Sequence, residues 1–380
     1  MAGASRRLGF LPDCPPTAEN GTLKVGDFAC GAIRRRIAVR TPWRVLAATV
    51  VCLAAGTAWA ADVVRTLDGK KVEGHVSAMS PTEVTVTQGE EAKKVPVNQI
   101  ASITFEDEPA LVRRARESVE KGNYDEALRA MENVRTDEIQ RPEILQEIEF
   151  YIALASAKLA LKGEVEIPEA GKLMSAFVTA HPQSYHFLDA SEAVGDLLAA
   201  LGQFSRAREY YERVGKAPWP EYKLRAAVSM GQILLAEKKP DEAMKFFQHV
   251  LDANAEGEQA ASQRSVAMLG KARCLAEAGK AEEAIRSVEG VIAKADPEDA
   301  GLLGRAYLIL GIAQRKAGRA TDAMYALLRV DTMYSGNRDV HAESLANLAQ
   351  VFAELKNEAR AKEAKEALRD QYSDTRWAAE

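Results

Sequence analysis

After residue 109 the chain repeats one arrangement, a Gly or Ala followed twelve positions later by an Ala. The pairs are Ala115/Ala127, Gly195/Ala207, Gly231/Ala243, Ala272/Ala284, Gly311/Ala323 and Ala349/Ala361. Two antiparallel helices joined by a short turn approach closely only where their crossing point lacks bulk, so each pair marks a helical hairpin. Four residues beyond the second member stands an apolar or aromatic residue (Met131, Tyr211, Phe247, Val288, Leu327), which would wedge into the neighbouring repeat. Hairpins in series that bury a face only against their neighbours stack into a solenoid. Composition agrees: 47% hydrophobic but only 6% aromatic residues favour helices packed through small side chains over a large mixed sheet.

The helix starts fit the same frame. Asp125-Glu126, Pro240-Asp241-Glu242, Glu282-Glu283 and Thr321-Asp322 each open a second helix, where unpaired amides and the helix dipole favour negative charge and proline. Together with the prolines near repeat ends, Pro182, Pro218 and Pro297, these features resemble the tetratricopeptide (TPR) family over roughly 260 residues. The repeats here run at 36 to 42 residues rather than the family's shorter unit, and the one around Ala157 and Ala170 is irregular, with a loop near 163–168. Tyr334-Ser335-Gly336 and Tyr372-Ser373-Asp374 resemble repeats of bacterial envelope TPR proteins. The resemblance implies a mainly α chain whose residues 109–380 form a TPR-like α-solenoid of about seven helical hairpins.

Residues 61–106 read differently. Val63–Leu67, the turn Asp68-Gly69, a run ending near Met79, Val84-Thr85-Val86, Val95-Pro96-Val97 and Ile100–Phe105 predict about five short strands. The run from Asp68 to Gly74 and the closing Val95–Ile103 resemble small bacterial SH3-like or Sm-like barrels, so a small closed barrel is expected before the repeats. Such a module either binds a peptide or envelope polymer or caps the first helix.

Residues 1–60 read as a leader. Arg34, Arg35, Arg36, Arg40 and Arg44 precede the apolar run Val45–Ala55 and then Ala58-Trp59-Ala60, the order of a secretory signal peptide cleaved after Ala60. An exported, periplasmic or envelope protein is expected; the alternative is anchorage by an uncleaved N-terminal segment, the one expected contact with a membrane. The leader holds eight of the 50 Lys/Arg and three of the 55 Asp/Glu, so the remainder carries a net charge near −10 and no basic stripe, which argues against nucleic acid as a partner. It also holds Cys14, Cys30 and Cys52; Cys274 is left alone on an apolar helix, where it should be buried and inert.

Sites of chemistry do not emerge. His75, His181, His186, His249 and His341 are scattered without metal-ligand spacing, and His181 and His186 read as solvent-facing. No phosphate loop, nucleophile elbow or Cys-x-x-Cys occurs, so no enzymatic activity, cofactor or metal is expected. The TPR resemblance implies a concave groove lined by first helices, at positions three before and one after each small residue. Those positions are Val112 and Arg116, Glu192 and Asp196, Val228 and Gln232, Leu269 and Arg273, Leu308 and Ile312, and Ala346 and Gln350. None reproduces the lysine and asparagine clamp of chaperone-binding relatives. Gln232, Arg273 and Gln350, with Arg225, Arg305 and Arg315 nearby, form a polar and cationic lining for an extended or acidic partner. The expected function is therefore an exported protein-binding scaffold or adaptor. Its rivals are a self-associating assembly protein and an envelope-polymer binder acting through the β module.

Overall fold

The computed structural model describes residues 61–373 and 375–379. The expected signal peptide lies outside them. Five strands come first: β1 (Asp62–Thr66), β2 (Lys71–Met79), β3 (Glu83–Gln88), β4 (Glu91–Pro96) and β5 (Ile100–Thr104), in the antiparallel order β4-β3-β2-β1-β5. The two edge strands, β4 and β5, do not pair, so the sheet is open where a closed barrel was expected. Strand β2 serves both halves of the sheet, pairing with β1 through Lys71–Gly74 and with β3 through His75–Met79. Gly74 sits at that change of partner with φ +153°, and a methyl group there would lie 2.5 Å from the Thr87 carbonyl oxygen. Only glycine lets the strands come this close.

Seven hairpins follow: α1 (Ala110–Glu120) and α2 (Tyr124–Glu132); α3 (Pro142–Lys162) and α4 (Ile167–Ala180); α5 (Phe187–Ala200) and α6 (Phe204–Gly215); α7 (Pro220–Ala236) and α8 (Pro240–Asp252). The rest are α9 (Glu258–Glu277) and α10 (Ala281–Ile292); α11 (Ala300–Lys316) and α12 (Ala320–Met333); α13 (Arg338–Glu354) and α14 (Glu358–Tyr372). Each regular hairpin turns through one residue of left-handed conformation, always five positions before the second-helix alanine. These are Gly122, Gly202, Lys238, Gly279, Gly318 and Lys356. In every case the next amide reaches back to the carbonyl five residues earlier, as from Asn123 to Ser118 and from Asn357 to Phe352 (both 2.8 Å), which satisfies the helix end in a Schellman turn.

The small residues do what their spacing requires. Ala115, Ala127, Ala207, Ala243, Ala284 and Ala323 are at most 1% exposed. The wedge residue, however, fills its own hairpin first. A methyl group on Gly195 would meet the Tyr211 ring at 2.6 Å, on Gly231 the Phe247 ring at 2.7 Å, and on Gly311 Leu327 Cγ at 2.6 Å. Phe247 also reaches the next repeat, where a methyl group on Gly270 would stand 2.4 Å from its ring. Cys274 is buried as expected, and burial pushes its thiol up to about 12.

The sheet and first repeats share one apolar cluster from Val64 and Ile103 through Val112, Ile144 and Met174 to Leu197. A buried Asp62 pins the two together. Its carboxylate accepts from the Val76 and Glu106 amides (2.7 and 2.8 Å) and from both terminal nitrogens of Arg141 (2.5 and 2.7 Å), the residue capping α3. Burial alone would raise the Asp62 pKa, but these donors outweigh it and hold the carboxyl below its ordinary value.

Candidate functional site

First helices pack against one another (α1 on α3, α3 on α5, α7 on α9, α9 on α11, α11 on α13), while contacts between successive second helices are sparse. Crowding on one side of a stack is the signature of its inner curve, so the first helices form the concave face. Half of the positions that the TPR resemblance assigned to the groove do not reach it. Val112, Val228, Leu269, Leu308 and Ile312 are buried core residues, no more than 4% exposed.

Arg116, also at an assigned groove position, is sealed in an ion network between α1 and α3. It is bidentate to Glu108 (3.2 and 2.6 Å) and donates to Glu147 (3.2 Å), while Glu147 also accepts from the Tyr185 hydroxyl (2.9 Å). His186, expected to face solvent, is instead buried, with Nε2 2.9 Å from Glu147 and its ring stacked on Phe150 at 3.6 Å. The rings of Phe150, Tyr151 and Tyr185 around it and the buried carboxylate of Glu147 hold the imidazole inside. Burial would raise the Glu147 pKa, but the charge and hydrogen bond of His186, Arg116 and Tyr185 bring it below normal; Glu108, desolvated with one main partner, is raised. His181 is partly exposed and contacts Glu149 (2.6 Å) and Gln146 (3.0 Å). Among the described residues no group of three or more His, Cys, Asp or Glu is arranged to hold a metal ion.

The inner face itself is lined by paired charges. Along α5, Asp189, Glu192 and Asp196 fall at i, i+3 and i+7, one stripe of a helix. Arg225 on α7 answers two of them, donating to Asp189 (2.8 Å) and to Glu192. Asp196 accepts from the Tyr211 hydroxyl (2.8 Å) and feels the charges of Lys158, Arg305 and Arg225. Further along, Arg273 on α9 bridges Glu277 (3.1 Å) and, two hairpins on, Glu343 of α13 (2.8 Å). Arg315 on α11 donates to Glu354 and Asn347 of α13, both at 3.0 Å. Gln232 and Gln350 are exposed. The structure thus brings Arg225, Arg273 and Arg315 into ion pairs and puts Arg305 within electrostatic reach of Asp196. The cationic lining is matched by carboxylates rather than left open for an acidic ligand.

Burial acts on these carboxylates. It pushes Glu192 up to about 7 against the pull of Arg225, with Asp196 and Asp189 adding repulsion. Asp196 and Glu343 are raised for the same first reason, only partly offset by Lys158 for the one and by Arg273 for the other. For Arg225 burial disfavours the charge, but Glu192 and Asp189 more than compensate and hold the guanidinium well above its ordinary value. Sequence reading named Glu192 and Asp196 as groove positions but missed Asp189, Lys158 and Glu343. The i, i+3, i+7 stripe would have found Asp189; Glu343 is joined to Arg273 only by the curvature of the stack.

Comparison with known proteins fits this architecture. Residues 192–258 match the tetratricopeptide repeat family model. No curated protein matches the chain by sequence. Among solved structures, the apo quorum sensor NprR from B. thuringiensis is 15% identical with a TM-score of 0.51, the match covering 69% of this chain and 75% of that one. A Rap protein complexed with Competence and Sporulation Factor is 13% identical with a TM-score of 0.52, over 70% of this chain and 76% of that one. A tetratricopeptide repeat protein from Parabacteroides merdae is 16% identical over 69% of this chain and 92% of its own, with a TM-score of 0.46. Its seven hairpins, their crossing residues and the repeat match over residues 192–258 give this chain a TPR-like α-solenoid fold, preceded by a five-stranded antiparallel sheet.

Proposed function

We propose that the protein is an exported scaffold that holds an extended segment of a protein partner on its concave face. The observation that carries this reading is the row of partly exposed, desolvated ion pairs along the inner helices, from Glu192–Arg225 to Arg273–Glu343. Glu192 and Glu343 keep raised pKa values despite their guanidinium partners, so an incoming chain has charge to exchange with on both signs. Arg225, Gln232, Arg273, Arg305, Arg315 and Gln350 are the residues that would meet it. The structural neighbours are consistent with the reading, since the Rap protein is seen complexed with Competence and Sporulation Factor.

Export rests on the leader pattern at residues 34–60; no described helix is long and apolar enough to cross a membrane. We assign residues 61–106 the role of a cap on the first hairpin, because their core is continuous with it and Asp62 is tied to α3. Probing an array of 15-residue peptides drawn from the host's exported proteins with the full chain tests the binding role. Selected peptides should lose roughly tenfold or more in affinity when Arg225 and Arg273 are both changed to Glu. An identical set of peptides, bound equally well by the variant, would overturn the assignment. Export is checked by fractionation and N-terminal sequencing of the mature protein, which should begin at Ala61.

A further inference from the structure

Hairpins that share cores only with their neighbours would be free to open like a spring. The buried apolar residues of α3 belong to the cluster that starts in the sheet, and those of α13 to a separate one built from α11 to α14. Yet the backbones of α3 and α13 meet, which brings the second and seventh hairpins together. The meeting point pairs Gly163, the left-handed residue (φ 86°) that ends α3, with Arg338, the first residue of α13. A methyl group on Gly163 would lie 2.6 Å from Nε and 2.7 Å from Cδ of Arg338. Arg338 is itself braced: its guanidinium stands 5.5 Å from the centre of the Tyr372 ring, whose hydroxyl is 2.6 Å from His341 Nδ1. A cation at the end of α3 stands at the negative end of that helix's dipole. Between these two hairpins, then, the contact is polar, and among the described residues neither apolar cluster extends across it.

We infer that Gly163 and Arg338 form a releasable clasp, joining the second and seventh hairpins and opening by a swing of α13 and α14 as a unit. Small side chains cannot replace it at this point, because the fit depends on the missing Cβ of Gly163. The consequence for a partner rests on the concave-face reading above: with the clasp shut, an extended segment reaches the inner charges along the axis, and with it open, from the side.

The clasp is tested without any partner, by hydrogen exchange on the full chain. In the wild-type protein the amides of the last turn of α3, residues 159–164, should exchange faster than those of α5 to α8. In Arg338→Ala they should exchange about fivefold faster still, together with the start of α13, while α5 to α8 stay unchanged. Gly163→Ala should reproduce the loss of protection at the start of α13, since its methyl displaces Arg338. A change confined to α13 and α14 in the first variant, or to α3 in the second, would mean that the two ends are not coupled and would overturn the clasp. Wild-type protection at residues 159–164 equal to that of α5 to α8 would overturn its release. A failed peptide array beside the expected exchange pattern would remove the concave-face reading alone.

Discussion

The two halves of the chain are held together differently. From Val64 in the sheet to Leu197 in α5, and on to Ile233 in α7, buried apolar residues form one cluster, and the same region seals the charges of Arg116, Glu108 and Glu147 inside it. Beyond α7 the core divides into successive clusters, α7 to α9, α9 to α12 and α11 to α14, each no larger than the contact between neighbouring hairpins. The first region is a foundation with a specific buried network; the second is a chain of local interfaces, whose stability is a sum of neighbour terms. A solenoid built this way is held at its start by one continuous core and at its end by separate local ones.

The sharpest way to break this contrast is Glu147→Ala. It strands Arg116, His186 and Tyr185 without their shared acceptor, and removing one member of such a buried pair costs about 3–5 kcal/mol. Urea unfolding should show the loss in the first three hairpins and the sheet; a uniform shift of one transition would instead make the whole solenoid one cooperative unit. Gly270→Ala probes the other region. Its methyl would collide with the Phe247 ring, and overpacking of that kind costs about 1–3 kcal/mol. Hydrogen exchange should then rise in α7 to α10 and leave α1 to α4 as they were.

The third test uses pH. Glu192 binds its proton more tightly folded, at about 7, than unfolded, at its ordinary value of 4.5. Its contribution is therefore fully present below about 4.5 and is lost as pH rises through about 7, so stability should fall across that window. Glu192→Gln should flatten the fall, as read from the urea midpoint at several pH values; an unaltered slope would show that another group carries it. The smallest effect is expected at the turns. Lys356 is a non-glycine residue held at φ 59° in an exposed loop, and Lys356→Gly should raise the melting temperature, stabilising by about 0.5–1 kcal/mol.

Much of the fold was legible because local rules fix it. Close crossing of two helices demands a small residue, and the twelve-residue spacing shows where it must be. The strands were readable from alternation and from Asp68-Gly69, but not the open edge of the sheet, since pairing of β4 with β5 depends on curvature that no single strand encodes. The wedge residues were expected in the neighbouring repeat, which Phe247 does reach, but spacing along a helix did not show that Tyr211, Phe247 and Leu327 also fill their own hairpins. The buried network was invisible for a related reason. Arg116 and Glu147 lie 31 positions apart and Glu147 and His186 39, and each looks alone like an ordinary surface charge. On the inner face the α5 carboxylates share a stripe, whereas Arg273 and Glu343 meet only because the stack bends.

The clamp at Asp62 also bears on how the protein is made. Its carboxylate at the very start of β1 needs Arg141, 79 positions later, before its charge is matched. During synthesis the sheet therefore emerges with an anion answered by the Val76 and Glu106 amides alone, and its charge is matched only after the first hairpin and the beginning of α3 have followed it out. A chain delivered in that order waits for a single arginine to match this charge, and replacing Arg141 should lengthen the wait.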